Sequence, residues 1–229
     1  MHIHGLQKLA MVDYPGKLAA TVFTGGCNLR CPFCHNALLV TRLAETPRSL
    51  SRRCWTSWPP AGALDGVVLT GGEPLFQPDA ADFLRKVREL GFAVKLDTNG
   101  CDPARLAEIL NQGLVDYVAM DVKKAPARYA ETVGIPGFNP APVEESIRLL
   151  RKGTVDYEFR TTLVRELPGR RTWTPSPPGW QGRPVLSSEL CGLRQSDRPG
   201  ISRLYSRAAA GLCGRVRPFF GAVELRGID

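Results

Sequence analysis

The chain has 229 residues, of which 43% are hydrophobic and 23% charged. That is an ordinary globular balance, in a chain long enough to bury a full core without disulfide staples. A mean hydropathy of −0.14, with no uncharged apolar run near the ~18 residues of a membrane span, argues against a transmembrane protein. The formal charge of +8 points toward nucleic acid or an anionic surface only until its distribution is considered.

That charge is confined to two tracts. Residues 46–60 carry three Arg and no acid, and residues 168–213 carry seven Arg and two acids, so the tracts hold the whole +8. The remainder is neutral, which weakens a nucleic-acid reading. The tracts also hold all four Trp, nine of the nineteen Pro and three of the seven Cys (Cys54, Cys191, Cys213), yet no Lys. Neither shows a sustained helical or strand period, and natural Pro-rich linkers rarely carry so many Trp and Cys. The genetic code offers a reason. The run RRCWTSWP can be encoded so that the frame from its third base reads EVLDFLA, an acidic and apolar helical pattern. Similarly, VLSSELCGLRQSDRPGIS admits a frame that reads as a buried strand and turn. Both tracts are therefore read as frame-shifted and irregular. No strand is expected in 168–213, where Pro175, Pro177 and Pro178 would break a helix.

Elsewhere β-branched apolar stretches alternate with helical ones. Strands are expected at 18–26, 65–72, 92–98, 115–122, 155–164 and 221–227, and helices at 79–90, near 103–112 and at 142–152. Such alternation implies parallel pairing with right-handed crossovers, in a barrel or an open doubly wound sheet. Functional residues then gather at the C-terminal ends of the strands. The N-terminus, MHIHGLQKLAMVDYPGK, has no apolar stretch before a small-residue cleavage site, so the chain reads as unexported and cytoplasmic. His2 and His4 read as inert.

Cys27, Cys31 and Cys34 crowd into eight residues after the first expected strand. In an unexported chain they read as metal ligands rather than a disulfide framework. Three thiolates on one loop can hold three irons of a cubane cluster and leave the fourth open. Zinc is the competing ligand, with His35 as a fourth donor, but no second Cys pair is present and adjacent residues rarely turn onto one metal. Gly25, Gly26 and Pro32 give the loop the freedom and stiffness of a tight wrap.

The stretch TGGCNLRCPFCHN, with an aromatic residue before its last Cys, resembles the cofactor loop of the radical S-adenosylmethionine (SAM) enzymes. Together with GLQKLAMVDYPGK at the start and TGGEP in the next strand, the chain resembles the activating proteins of anaerobic ribonucleoside-triphosphate reductase. The likeness covers about residues 1–45 and 61–167 and the last dozen or so. It implies an α/β fold, a partial (β/α)6 barrel in a single domain over 1–229, with a core at 15–167 and a last strand in 214–229. It implies a [4Fe–4S] cluster on Cys27, Cys31 and Cys34, and S-adenosylmethionine as second cofactor. Gly71, Gly72, Glu73 and Pro74 would contact that cofactor, with Glu73 accepting from its methionine ammonium. Asn99, Lys123 and Arg160 are further candidate contacts. The alternatives are an Asx turn for Asn99, a Lys-paired strand-end carboxylate at Asp121–Lys123, and a structural Arg–Asp pair for Arg160. In related activases the positions of Asp97, Thr98, Met120 and Asp121 surround a monovalent cation. Cys101 reads as an ordinary packed thiol.

The resemblance implies an oxidoreductase that reductively cleaves S-adenosylmethionine and sets a glycyl radical on a partner, the anaerobic ribonucleotide reductase. It would be fed by a low-potential electron donor such as flavodoxin, with no nucleic acid or membrane involved. Alternatives are an activase of another glycyl-radical enzyme, a radical enzyme acting on a small molecule, an electron carrier, or a basic zinc protein binding nucleic acid. Resequencing the gene across codons 46–60 and 168–213 is expected to reveal small insertions or deletions. An unambiguous intact frame through both tracts would remove the frame-shift reading.

Overall fold

The computed structural model describes residues 1–45, 62–124 and 126–162, and the backbone of two further strands at 184–187 and 224–226. The tract 46–60, and 168–213 apart from 184–187, lie outside the described residues. In chain order the elements are β1 (Ile3–Ala10), β2 (Ala19–Thr24), α1 (Ala37–Thr41), β3 (Gly66–Gly71), α2 (Ala80–Glu89), β4 (Ala93–Thr98), α3 (Pro103–Asn111), β5 (Tyr117–Asp121), α4 (Tyr129–Val133), α5 (Ala141–Leu150), β6 (Asp156–Arg160), β7 (Pro184–Ser187) and β8 (Glu224–Arg226). They fall into two compact units that interleave along the chain. The first comprises Met1–Arg30, Asn36–Met120 and Ala141–Tyr157, the second Cys31–His35, Asp121–Pro140 and Glu158–Asp229.

In the first unit the strands lie side by side in chain order, and β2 to β5 pair in parallel as the strand–helix alternation requires. Strand β1 departs from the all-parallel expectation, pairing antiparallel with β2. Its sequence concealed it: IHGLQKLA fully buries only Ile3 and Ala10, while Gln7, Lys8 and Leu9 are exposed, a pattern suited to an edge strand. Helix α2 buries Ala80, Phe83, Leu84 and Val87, a single stripe at helical spacing. Helix α3 starts where Asp102 accepts from the Arg105 N–H at 3.0 Å, with Pro103 at its first position. Helices α1 and α4, five residues each, are too short to leave a periodic signal.

Tyr14 closes the start of this sheet. It is buried against Ala19 and Val68, with Ala93 and Tyr117 packed around them. The register aligns Ala19, Gly66 and Ala93 across three strands. A Cβ on Gly66 would lie 2.8 Å from the Ala93 carbonyl oxygen and 3.0 Å from the Tyr14 ring. Small side chains in that row therefore make room for the aromatic one. The surrounding motif, DYPGK, is a turn: the Lys17 N–H donates to the Tyr14 carbonyl at 3.2 Å, and Thr21 Oγ1 donates to Asp13 Oδ2 at 2.5 Å. Burial, reinforced by the Asp116 and Asp156 charges, pushes the Tyr14 phenol up to about 12.

In the second unit β6 pairs in parallel with β7, and β7 with β8. The expectation of a strandless 168–213 is corrected here. Pro184–Ser187 is a strand, matched to β6 at Phe159↔Pro184 and Arg160↔Val185. The two apolar residues Val185 and Leu186, bounded by Pro and Ser, make a signal too brief to stand out from an aperiodic tract. The Val122 N–H donates to the Arg160 carbonyl at 2.8 Å, and Thr161 Oγ1 to the Val122 carbonyl at 2.7 Å.

Tyr14→Ala is expected to lower stability by about 3–5 kcal/mol through the cavity it opens. Tyr14→Phe is expected to leave it unchanged or raise it, because the hydroxyl is buried with no hydrogen-bond partner among the described residues. Thermal melting of the two variants beside the parent checks both.

Candidate active site

In the first unit the strand ends of β2 and β3 are joined backbone to backbone. The Gly72 N–H donates to the Thr24 carbonyl at 2.9 Å, and the Glu73 N–H to the Gly26 carbonyl at 2.8 Å. A Cβ on Gly72 would stand 2.0 Å from the Gly26 oxygen. Gly71 has φ +116, and a Cβ there would stand 2.3 Å from the Thr24 nitrogen. Only glycine permits both the conformation and the approach. The GG pair of TGGEP thus seats the start of the cysteine loop directly on the end of β3. Asn36 Nδ2 donates to the Gly71 carbonyl at 2.9 Å, and Gln77 Nε2 to the Gly25 carbonyl at 2.6 Å.

Glu73 is 3% exposed, so it is not a solvated strand-end acid. Its Oε1 accepts from Thr98 Oγ1 at 2.7 Å and from the Leu75 N–H at 3.1 Å, and its Oε2 accepts from the Asn99 N–H at 2.7 Å. A carboxylate has about four acceptor positions, and these three donors hold its plane. Glu73 also caps the short turn Pro74–Phe76.

Asn99 is buried and forms the Asx turn, its Oδ1 accepting from the Cys101 N–H at 3.0 Å. Its amide group reaches the cysteine loop. Nδ2 donates to Asn28 Oδ1 at 2.8 Å and to Cys27 Sγ at 3.7 Å. Cys27 Sγ also accepts from the Leu29 N–H at 3.3 Å. N–H donors on sulfur favour the thiolate and tune a cluster bound to it. Asn28 is a site residue that sequence reasoning missed, because an Asn between two cysteines carries no pattern of its own.

In the second unit Cys31 and Cys34 lie on a tight turn, the Cys34 N–H donating to the Cys31 carbonyl at 3.1 Å. Burial pushes the Cys31 thiol up, with the Lys123 charge acting against that rise. Cys27, Cys31 and Cys34 are reduced cysteines of intermediate exposure. Their donor chemistry fits an iron–sulfur cluster, whose iron would supply the positive charge that a buried thiolate needs. Among the described residues no group of three or more His, Cys, Asp or Glu side chains stands gathered as a metal cage.

The remaining candidates have protein partners. Asp97 Oδ1 accepts from Lys95 Nζ at 2.5 Å. Thr98 holds Glu73 and accepts from the Gly100 N–H at 3.1 Å. Met120 is fully buried, and its sulfur lies 2.9 Å from where a Cβ on Gly100 would be. In the second unit Asp121 accepts from Lys123 Nζ at 2.7 Å through Oδ2 and from Arg160 Nε at 3.1 Å through Oδ1. The Lys–carboxylate and Arg–Asp pairings weighed from sequence are therefore both formed. Burial works against the Asp121 charge, yet the two cations hold its carboxyl down to about 2. Burial also works against the Lys123 ammonium, but Asp121 and Cys31 raise it above the ordinary lysine value.

Residues 21–169 match the radical SAM superfamily model, and the chain belongs to that superfamily. It is a radical SAM enzyme, and the cofactors of the family are a [4Fe–4S] cluster and S-adenosylmethionine. A Methanocaldococcus jannaschii protein named as a glycyl-radical enzyme activating enzyme is 36% identical over 166 residues, covering 71% of this chain and 68% of that one. The pyruvate formate-lyase-activating enzyme of Clostridium pasteurianum is 32% identical over 126 residues, covering 53% of this chain and 52% of its own length. Streptococcus suis SuiB shares the fold, with a TM-score of 0.58 at 14% identity, covering 89% of this chain and 47% of that one. The α/β partial-barrel expectation is thereby met. The zinc and electron-carrier alternatives give way to the family assignment. No helix among the described residues is long and apolar enough to cross a membrane.

The Asp121 pairings set an acid limit. A carboxyl held down to about 2 in the fold, against ~3.9 when unfolded, adds stability above the unfolded value and loses it as pH falls from there toward about 2. Asp121→Asn is expected to abolish that acid-limb contribution and to take the carboxylate away from both cations. Its cost should lie between the ~1 kcal/mol of an exposed pair and the ~3–5 kcal/mol of a buried one. Denaturant titrations of parent and variant across the acid range read both effects.

Proposed function

We propose that this chain is an activase that generates a glycyl radical on anaerobic ribonucleoside-triphosphate reductase. The observation that carries the reading is the Glu73 clamp: a buried carboxylate held in fixed orientation by β4, on the strand end against which the cysteine loop is seated. The archaeal relative, named for activating a glycyl-radical enzyme, and the clostridial one, named for activating pyruvate formate-lyase, support an activase. The N-terminal DYPGK resemblance favours the reductase as partner. The clostridial relative keeps a second reading open, an activase of another glycyl-radical enzyme.

When bound, the two cofactors supply a one-electron cleavage of the sulfonium that leaves methionine and a 5′-deoxyadenosyl radical able to take hydrogen from a glycine Cα of the partner. The electron comes from a low-potential donor such as flavodoxin. Cys27, Cys31 and Cys34 each give one thiolate to iron. Glu73 would accept from the methionine ammonium. Asn99 fixes the Cys27 sulfur through its amide. Gly71, Gly72 and Pro74 hold Glu73 in place through the backbone. Lys123 and Arg160 offer donors to a carboxylate or ribose while Asp121 holds them. The protein's contribution is placement and exclusion of water.

Anaerobically reconstituted protein is expected to bind about four irons per chain, and Cys27→Ala, Cys31→Ala or Cys34→Ala to lose the cluster by iron and sulfide analysis. Cys54→Ala, Cys191→Ala and Cys213→Ala should keep it. Glu73→Gln should retain the cluster but bind S-adenosylmethionine about tenfold more weakly, the value of a lost charge-assisted hydrogen bond. The partner is tested by mixing reduced protein with the reductase and, separately, with pyruvate formate-lyase, and recording the glycyl-radical signal. A signal with the lyase alone would replace the reductase as partner. A Cys34→Ala protein that still cleaves the cofactor would defeat the assignment.

A further inference from the structure

The family likeness implies a monovalent cation among Asp97, Thr98, Met120 and Asp121, and the described residues do not fit one. Lys95 and Asp97 lie two apart on β4 and so project from the same face of the sheet. The Lys95 side chain is 2% exposed and that of Asp97 13%, and Nζ stands 2.5 Å from Oδ1. The ammonium also lies 6.0 Å from the centroid of the Tyr117 ring, the residue its strand register sets opposite. That is within reach of a cation–π contribution. Thr98 spends its proton on Glu73 and accepts from Gly100. Met120 packs its thioether against Gly100. In the second unit Asp121 already meets two cations.

We propose that the Lys95 ammonium is a built-in cation, neutralising Asp97 in place of a bound monovalent ion, so that this chain binds its cofactor without a sodium or potassium requirement. A buried carboxylate demands a counter-charge. A tethered ammonium two residues away on the same strand face meets that demand at an effective concentration no bulk ion matches. The neutralisation reaches the cofactor through position rather than contact. Asp97 directly precedes Thr98 and Asn99, whose hydroxyl and N–H orient Glu73. A buried Asp97 left without its counter-charge would be driven off its strand face, shifting the strand end that carries those two donors. Lys95 is thus a positioning residue, and the inference rests on the assignment of Glu73 to cofactor binding.

The test uses the full chain with its cluster reconstituted, in potassium, sodium or choline chloride at equal ionic strength. Two quantities are read: S-adenosylmethionine affinity by equilibrium dialysis, and the melting temperature without S-adenosylmethionine. The parent should show the same affinity and melting in all three salts. Lys95→Met should bind about tenfold more weakly in choline, and regain affinity and melting temperature in potassium or sodium as an ion takes the vacated position. Lys95→Arg should remain indifferent to the salt. A parent stabilised by potassium or sodium over choline would overturn the proposal. So would a folded Lys95→Met protein that weakens equally in every salt, since that marks a plain packing role. If Lys95→Met does not fold, the parent in three salts decides alone. A parent that binds no S-adenosylmethionine in any salt would instead sink the functional reading, while its melting still answers for the ion.

Discussion

The arrangement of the site depends on one buried carboxylate. Glu73 sits where β3 ends, and donors reach it from its own turn and from the end of β4. Those bonds fix where Thr98 and Asn99 stand. Asn99 in turn carries the order onward, because its amide reaches Asn28 and the Cys27 sulfur. A path of hydrogen bonds therefore runs from the GGEP glutamate to a candidate cluster ligand without leaving the first unit. Burying a carboxylate costs several kcal/mol when its acceptors are unmet. The sequence around Glu73 is consequently constrained by the fold as well as by any cofactor, and the glycines before it by the backbone of the facing loop.

The same economy governs the charges in the strands. Lys95 answers Asp97, and Lys123 and Arg160 answer Asp121. Each acid is met by a base from its own strand end or from a neighbour in its own unit, in environments where an unpaired charge would be expelled or neutralised. Such pairs orient side chains more than they add stability. Removing one member exposes the other to the full desolvation cost, which makes these positions sensitive to mutation whether or not they touch a cofactor.

The alternation of apolar strands and amphipathic helices was legible in the sequence from residue 18 to 160 because both periods are strong there. Helix α2, with its buried stripe, and helix α3, with Asp102 and Pro103 at its head, are plain in the letters. The cysteine loop was legible by its spacing, and GGEP by its likeness to the family motif. What escaped has a physical reason in each case. Strand β1 buries too little to alternate, and β7 is too short to show a period. The pairing of Lys95 with Asp97 was available in FAVKLDT, since a Lys inside an apolar strand must find an anion and the residue two places on supplies one. The contact of Asn99 with Cys27 was not, because it joins loops 72 residues apart.

The distribution of net charge bears on how a partner is met. The +8 resides wholly in tracts 46–60 and 168–213, and the rest of the chain is neutral. Within the described site Asp97 and Asp121 are paired with bases at 2.5–3.1 Å, and Glu73 is buried among uncharged donors. Fields from such close pairs fall off quickly, and beyond a Debye length of about 8–10 Å they are screened at physiological salt. Long-range steering by these pairs is therefore weak, and recognition at the strand ends rests on shape and short-range contact. Exposed apolar residues are present for such contact: Leu38 on α1 is 58% exposed and Phe76, two residues past GGEP, is 57% exposed. Phe76 stands 3.5 Å from where a Cβ on Gly26 would be, so an apolar surface adjoins the start of the cysteine loop itself. Apolar surface at that point suits chemistry that must exclude water, because it adds no ions to carry a hydration shell inward.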